Sequence, residues 1–151
     1  MPLETIRGHV ALVRGIELFT GTILDNVRLG RNDRTLADVT DALRQAGVLE
    51  EVQKFPEGLD TVLHPGGRPL SASQASRLMI ARAIAGRPRL LILDDALDPV
   101  DRARERDPIC DMLFSREAPW TLLCISERPD LLARCDRVMV LEDGDMREVR
   151  A

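Results

Sequence analysis

One short stretch restricts the fold of this chain more than any other. The run Leu90–Leu93 is wholly apolar and is followed directly by Asp94 and Asp95. An apolar run without polar alternation predicts a strand that is covered on both faces, as in a parallel sheet. Three further runs have the same character, at His9–Val13, Trp120–Ser126 and Arg137–Leu141. Because helical patterns lie between them, the sequence predicts an α/β fold with a mostly parallel sheet.

The helical patterns differ in quality. Leu36–Leu49 and Ser73–Ala85 carry apolar residues at helical spacing, and Thr35 is the predicted N-cap of the first. Val100–Phe114 is highly charged and contains Pro108, which predicts a kink or a break at that residue.

Composition excludes several classes of function. The 151 residues carry a net charge of −4 and only 3% aromatic residues, which argues against a nucleic-acid partner. The three cysteines contain no C-x-x-C pair, so neither a disulfide framework nor a simple zinc site is expected. No apolar run approaches the roughly 20 residues of a membrane span.

The two acids after the apolar run suggest a ligand site. In open α/β sheets, ligands bind at the carboxyl ends of the strands. Asp94 at such an end could hold Mg²⁺ through water, and Asp95 could polarise an attacking water. An ordinary strand end with two solvated acids explains the same residues equally well.

A second candidate site is Leu70–Gln74, which leads straight into a predicted helix. The free backbone N–H groups at a helix N-terminus favour an anion, and Ser71 and Ser73 add hydroxyl donors. Taken alone, the segment is explained better as a simple helix cap.

Together and in order, these motifs resemble the ATP-binding cassette family. Leu70–Gln74 resembles its signature sequence, usually Leu-Ser-Gly-Gly-Gln, and Leu90–Asp95 resembles its Walker B strand. The other co-linear matches are the segment ending in the D-loop aspartate (Ala96–Asp101), the stretch after the Q-loop in exporter-type cassettes (Leu18–Ile23 with Asn26), and the last core strand (Asp136–Gly144). Such co-linearity over nearly the whole chain is far more specific than any single motif.

The resemblance implies a partial P-loop NTPase (RecA-like) fold, a mostly parallel sheet with a helical signature subdomain. It divides the chain into a Q-loop region (about 1–34), a helical subdomain with the signature (about 35–86) and a Walker B, D-loop and switch region (about 87–151). It implies a cassette domain of an exporter-type membrane transporter that couples ATP binding and hydrolysis to transport through a partner cassette. The implied cofactors are ATP and Mg²⁺. The implied partners are a transmembrane domain or subunit and a second nucleotide-binding domain, with a homodimer as a further possibility, at the cytoplasmic face of the membrane.

The resemblance also assigns site residues. The nucleotide-binding positions are Ser71, Ala72, Ser73, Gln74, Asp101 and Arg14, the metal position is Asp94, and the catalytic positions are Asp95 and Glu127. Arg14 lies near the place of the Q-loop glutamine, which is absent.

Several departures from the family pattern argue against hydrolysis by this chain alone. There is no G-x-x-x-x-G-K-[ST] phosphate loop, which in the family lies upstream of the Q-loop, and we expect the chain to begin after it. Ala72 and Ser73 replace the signature glycines. Asp95 replaces the general-base glutamate with a shorter acid, and a misplaced general base forfeits roughly 10²–10⁴ in rate. Glu127 replaces the switch histidine with a charge that repels phosphate. A non-catalytic cassette that acts as a regulatory or interaction module is therefore the alternative.

The same resemblance predicts a gap in the sheet. In the family, the strand that carries the phosphate loop lies between those matching Thr121–Ser126 and Arg137–Leu141. Without it, two strand edges lack partners, and unpaired edges promote pairing with other chains. We expect these strands to pair directly or the chain to dimerise.

Overall fold

A computed structural model describes residues 8–31, 33–100 and 107–149. The strands are β1 (Val10–Arg14), β2 (Gly21–Thr22), β3 (Val62–Leu63), β4 (Leu90–Asp94), β5 (Thr121–Ile125), β6 (Val138–Glu142) and β7 (Asp145–Val149). The α-helices are α1 (Ile23–Arg28), α2 (Leu36–Gln45), α3 (Leu49–Gln53), α4 (Ala72–Ala85), α5 (Pro108–Leu113) and α6 (Pro129–Leu132), and the 3₁₀ turns are Gly58–Asp60 and Pro65–Gly67.

The central sheet is parallel, as predicted, with the strand order β1-β4-β5. Its register aligns Leu12 with Ile92 and Ile92 with Leu123. Because side chains of paired residues share a face, these three lie on one side of the sheet. β4 occupies the middle, so the acids that follow it stand at the centre of the carboxyl edge.

The two faces of this sheet differ sharply. On one face Val13, Leu91 and Leu93 are 1% exposed or less and belong to the hydrophobic core. On the other face Leu12, Leu123 and Ile125 are 58%, 50% and 48% exposed. Within the described residues, the prediction that the strands are covered on both faces is therefore wrong. One face of the sheet is buried, and the other is largely exposed.

The predicted strand at Arg137–Leu141 forms, but outside the central sheet. β6 pairs antiparallel with β7, a strand that the sequence patterns did not indicate. In the part of the chain that the structure describes, β6 makes no ladder with β5, so direct pairing of these two strands is wrong. Leu141 and Met146 are paired across this hairpin, and both are largely exposed.

The helical region begins as predicted. The Thr35 hydroxyl accepts the Asp38 backbone N–H while the Asp38 carboxylate accepts that of Thr35, which forms a capping box at the start of α2. The predicted helix ends too late, however. Gly47 has φ +67°, which terminates the helical path, and α3 follows as a separate helix.

The region assigned to the helical subdomain (about 35–86) also contains a strand, β3, which pairs antiparallel with β2. The helix predicted over Val100–Phe114 is described only as α5, which begins at Pro108 behind the N-cap Asp107. Proline at the first helical position loses no hydrogen bond, so Pro108 starts this helix, in agreement with the break predicted at this residue. Residues 101–106 lie outside the described part.

Candidate functional site

The first candidate site lies at the carboxyl edge of the central sheet. The register places Arg14 opposite Asp94, and Arg14 Nε lies 3.9 Å from Asp94 Oδ2. The Arg14 side chain is largely exposed, so this contact contributes little to stability. The contact nevertheless places Arg14, a predicted nucleotide-binding residue, and Asp94, the predicted metal residue, at the same edge of the sheet.

The loop after β4 is fixed by its backbone. The Asp95 N–H donates to the Ile125 carbonyl oxygen (3.1 Å), which continues the β4–β5 ladder by one residue. Asp95 has φ +51°, a left-handed conformation that turns the chain sharply away from the strand. The Asp95 side chain is exposed, as is that of Glu127 beyond β5. The edge therefore presents three carboxylates, of Asp94, Asp95 and Glu127, beside one guanidinium.

This donor set suits a hydrated magnesium ion better than a directly bound metal. No group of three His, Cys, Asp or Glu side chains within 8–31, 33–100 and 107–149 is arranged to hold a metal ion. Mg²⁺ commonly keeps several waters and uses one or two carboxylates, so Asp94 fits the role of a ligand through water. Without such a cation, the three carboxylates would repel a polyphosphate.

The second candidate site is the N-terminus of α4. The Ser71 hydroxyl accepts the Gln74 backbone N–H (3.2 Å), and the Gln74 side-chain oxygen accepts the Ser71 N–H (2.9 Å). Gln74 Nε2 also donates to Glu51 on α3 (3.4 Å). Ser71 and Ala72 are exposed. The Ser71 hydroxyl hydrogen remains available to an anion, while both ends of the Gln74 amide are used within the chain.

The two sites are separate in the structure but share a connection. Among the described residues no hydrogen bond or ion pair joins Ser71–Gln74 to Asp94, Asp95 or Glu127. One turn further along α4, the Ser76 hydroxyl donates to the Ala96 carbonyl oxygen, next to Asp95. Asp101, the remaining predicted nucleotide-binding residue, lies outside the described residues.

Two polar clusters that hold the sites in place escaped the sequence interpretation. Arg77 on α4 pairs with Asp107 and donates to the Ala46 carbonyl oxygen (3.1 Å). Asp107 belongs to the highly charged stretch Val100–Phe114, yet it is buried. In the second cluster, Arg82 donates to both the backbone and side-chain oxygens of Asn26 (2.7 and 2.8 Å).

The three cysteines are not activated thiols. Burial is the main reason that the pKa of the Cys124 thiol rises to about 11, and burial likewise raises the pKa values of Cys110 and Cys135. Thiols with raised pKa values stay protonated near neutral pH and are poor nucleophiles.

Comparison with known proteins decides the family. The profile of the family described as ABC transporter matches residues 4–98. The ATP-dependent lipid A-core flippase of Chromobacterium violaceum is 36% identical over 149 residues, which cover 98% of this chain and 25% of the flippase. The chain belongs to the ABC transporter family. A multidrug efflux ATP-binding/permease protein of Mycobacterium bovis is 35% identical over 99% of this chain and 12% of its own length.

A solved structure supports the same assignment for this ABC chain. A bacterial Atm1-family ABC exporter with ATP bound superimposes with a TM-score of 0.82 and 28% identity, covering 91% of this chain and 24% of the exporter. The partial P-loop NTPase fold and the exporter type of the cassette, both predicted from the motifs, are thereby confirmed. The chain spans about a quarter or less of the length of these relatives. None of the helices in its described part is both long and apolar enough to cross a membrane.

Proposed function

We propose that this chain acts as the signature-bearing part of an ATP-binding cassette in an exporter-type transporter, and that it completes an ATP site together with a second cassette. The observation that carries the proposal is the exposed, capped N-terminus of α4 within a fold that matches an exporter with ATP bound. A helix N-terminus of this kind favours a phosphate because of its free N–H groups and its dipole.

The chemistry at this helix end is that of an anion clamp. At the start of α4, exposed Ser71 adds a hydroxyl donor whose oxygen is already oriented by the Gln74 N–H. Ser73 adds a second hydroxyl where the family pattern has a glycine. We infer that the γ-phosphate of an ATP held by the partner cassette binds here.

The carboxyl edge of the sheet contributes less to catalysis in this proposal. Asp94 would hold Mg²⁺ through water. Asp95 and Glu127 add negative charge where a longer general base and a histidine are expected from the family pattern. Because Asp95 is shorter than a general-base glutamate and Glu127 adds a charge that repels the γ-phosphate, we propose that hydrolysis at this edge is slow or absent.

A transmembrane partner would bind near the segment that follows β1. Ile16, Phe19 and Val62 are substantially exposed apolar side chains, and Val62 lies in the β2–β3 pair that begins two residues after Phe19. Arg82 on α4 holds this segment in place. Its guanidinium donates to the Glu17 carbonyl oxygen (2.8 Å), and its Cζ lies 5.7 Å from the centroid of the Phe19 ring. We infer that this surface transmits movement between α4 and the membrane part, at the cytoplasmic face of the membrane.

Nucleotide-dependent cross-linking tests the proposal. A photoreactive residue at Ala72 is irradiated beside a purified exporter cassette that carries an intact phosphate loop, with and without Mg-ATP. We expect an ATP-dependent cross-link at Ala72, none from the same label at exposed Arg116, and loss of the product in Ser73→Glu, which places a carboxylate at the phosphate position. A cross-link that forms equally without nucleotide, or none at all, contradicts the proposal.

The second candidate function is a non-catalytic regulatory or interaction module. It is favoured by the substitutions at Ala72, Asp95 and Glu127, each of which opposes nucleotide chemistry. This candidate predicts association with a partner that is independent of ATP, so the cross-linking experiment separates the two.

A further inference from the structure

We propose that Arg128 is a positioning residue that joins the loop of residues 95–100 to the loop of residues 126–128, so that α4, the acidic loop and Glu127 move as one unit. The proposal deepens the proposed function because it links the signature helix to the carboxyl edge. The contacts of Arg128 are present in a structure without nucleotide. The proposal about Arg128 can therefore be tested independently of ATP binding.

The first step is the position and burial of Arg128. It directly follows Glu127 and is only 6% exposed, although most arginines lie at the surface. A buried guanidinium must have its charge balanced and its N–H groups bonded. Arg128 meets both needs, but with partners on two different segments of the chain.

The charge is balanced locally. Arg128 Nε donates to Asp130 Oδ1 (3.2 Å) and Nη2 donates to Asp130 Oδ2 (2.6 Å), which is a bidentate pair. This hydrogen bonding raises the pKa of Arg128 above its ordinary value. The pair fixes the plane of the guanidinium and leaves Nη1 aimed elsewhere.

Nη1 reaches the loop that follows β4. It donates to the Leu97 carbonyl oxygen (2.7 Å) and more weakly to that of Val100 (3.5 Å). These carbonyls lie within a turn closed by the N–H groups of Asp98 and Val100, which donate to the Asp95 and Leu97 carbonyl oxygens (both 3.1 Å). One guanidinium group therefore holds both the residue after Glu127 and the turn after Asp95.

The same turn is held from its other side by the signature helix. Ser76 on α4 is 3% exposed, and its hydroxyl donates to the Ala96 carbonyl oxygen. Two side chains from different elements thus bind adjacent carbonyls of one turn, Ser76 at Ala96 and Arg128 at Leu97. A displacement of α4 must therefore either carry the turn and Glu127 with it or break one of these bonds.

A lysine cannot replace this arrangement. Its single ammonium group lacks the planar set of donors that satisfies Asp130 and Leu97 at once. Arg128→Lys therefore keeps the charge and removes the connection, which makes it the informative variant. Arg134→Gln is the matched control, because Arg134 makes an ion pair with Asp111 (2.7 Å) and, among the described residues, its side chain makes no hydrogen bond to the turn.

Amide hydrogen exchange tests the first half of the proposal. In Arg128→Lys we expect the amides of Asp98 and Val100 to exchange about tenfold faster or more, as befits loss of a charged hydrogen bond, while Leu91 and Leu93 in β4 are unchanged. Arg134→Gln should leave all four amides unchanged. Unchanged exchange in the turn, a parallel rise in β4, or an unprotected turn in the parent chain would overturn the proposal.

The second half is reciprocity, which a merely structural arginine would not show. Ser76→Ala releases the turn from α4, and we expect the Arg128 Nε–H to exchange faster with solvent, as measured in side-chain nitrogen spectra. This measurement keeps the proposal testable even if Arg128→Lys fails to fold. An Arg128 signal that is indifferent to Ser76→Ala would show that the two contacts are uncoupled, and the proposal would be wrong.

Discussion

The buried ion pair between Arg77 and Asp107 offers the sharpest stability test in this chain. The two side chains are 11% and 6% exposed, and they join α4 to the start of α5. Asp107→Asn keeps an oxygen for the Ile109 N–H, which Asp107 Oδ1 accepts at 3.1 Å, so the helix cap survives. The substitution removes the charge that balances Arg77 and puts an amide NH₂ in place of Oδ2, the oxygen that accepts from Arg77 Nη2.

The expected cost follows from this geometry. After the substitution, Arg77 keeps its bond to the Ala46 carbonyl oxygen but remains a buried cation that faces an amide. Breaking one partner of a buried pair costs about 3–5 kcal/mol. A domain of this size has a free energy of unfolding of about 5–15 kcal/mol, so roughly a fifth or more of its stability would be lost.

Urea denaturation measures the effect. With an m-value of about 2 kcal/mol/M, Asp107→Asn should lower the unfolding midpoint by about 2 M. The control is Asp136→Asn in the Arg116–Asp136 pair, whose side chains are 89% and 79% exposed and whose loss should cost less than about 1 kcal/mol.

A double-mutant cycle completes the test. Arg77→Met combined with Asp107→Asn removes both charges, so its cost should be well below the sum of the two single substitutions. Additive costs, or a midpoint in Asp107→Asn no lower than in Asp136→Asn, would refute the reasoning.

Four further outcomes are expected. Calorimetry should detect weak or no Mg-ATP binding by the chain alone, because it has no phosphate loop, and micromolar one-to-one binding would contradict this. Asp95→Glu should not restore phosphate release above an Asp94→Ala control, since a longer base does not supply the missing phosphate contacts. Leu123→Lys should reduce self-association in sedimentation measurements, because it places a charge on the uncovered sheet face, and unchanged association would assign the contact elsewhere. The urea midpoint should fall as pH rises from 9 towards 11, because the Cys124 thiol, with a pKa of about 11, binds its proton more tightly in the folded than in the unfolded chain. Cys124→Ala should make the midpoint less dependent on pH in this range.

Sequence reasoning succeeded where the signal is local. The N-cap Thr35 precedes its partner Asp38 by three residues, and the apolar run Leu90–Leu93 is contained within one strand. Gly47 and Pro108 show the limit of what such local signals predict. Both were visible in the sequence, but whether they end, start or kink a helix depends on the neighbouring turn.

The polar clusters could not be predicted because their partners are distant in sequence. Arg77 and Asp107 are 30 residues apart, Arg128 and Leu97 are 31 apart, and Arg82 and Asn26 are 56 apart. A solvated side chain is the ordinary expectation for an arginine. The folded structure shows instead that Arg77 and Arg128 are buried and that Arg82 is partly buried.

The uncovered sheet face has a different cause. Both faces of the sheet formed by β1, β4 and β5 carry apolar side chains. This is the pattern of strands that could be covered on both faces. The apolar pattern shows that both faces favour burial, but it does not show whether another element of the described residues packs over each face. Leu12, Leu123 and Ile125 remain exposed because no described element lies over them.

The positions that depart from the family pattern share a physical property that bears on function. Asp95 and Glu127 are exposed, and within the described residues their side chains make no hydrogen bond or ion pair; Ala72 is exposed and has no polar side chain to bond. Substitutions at such positions cost the fold little, whereas Arg77, Arg82 and Arg128 hold elements together and their loss leaves buried groups unpaired. The differences are therefore concentrated where a ligand would bind, and the framework that would position this ligand is intact. Under the proposed function, coupling between α4 and the carboxyl edge is therefore the property to measure first.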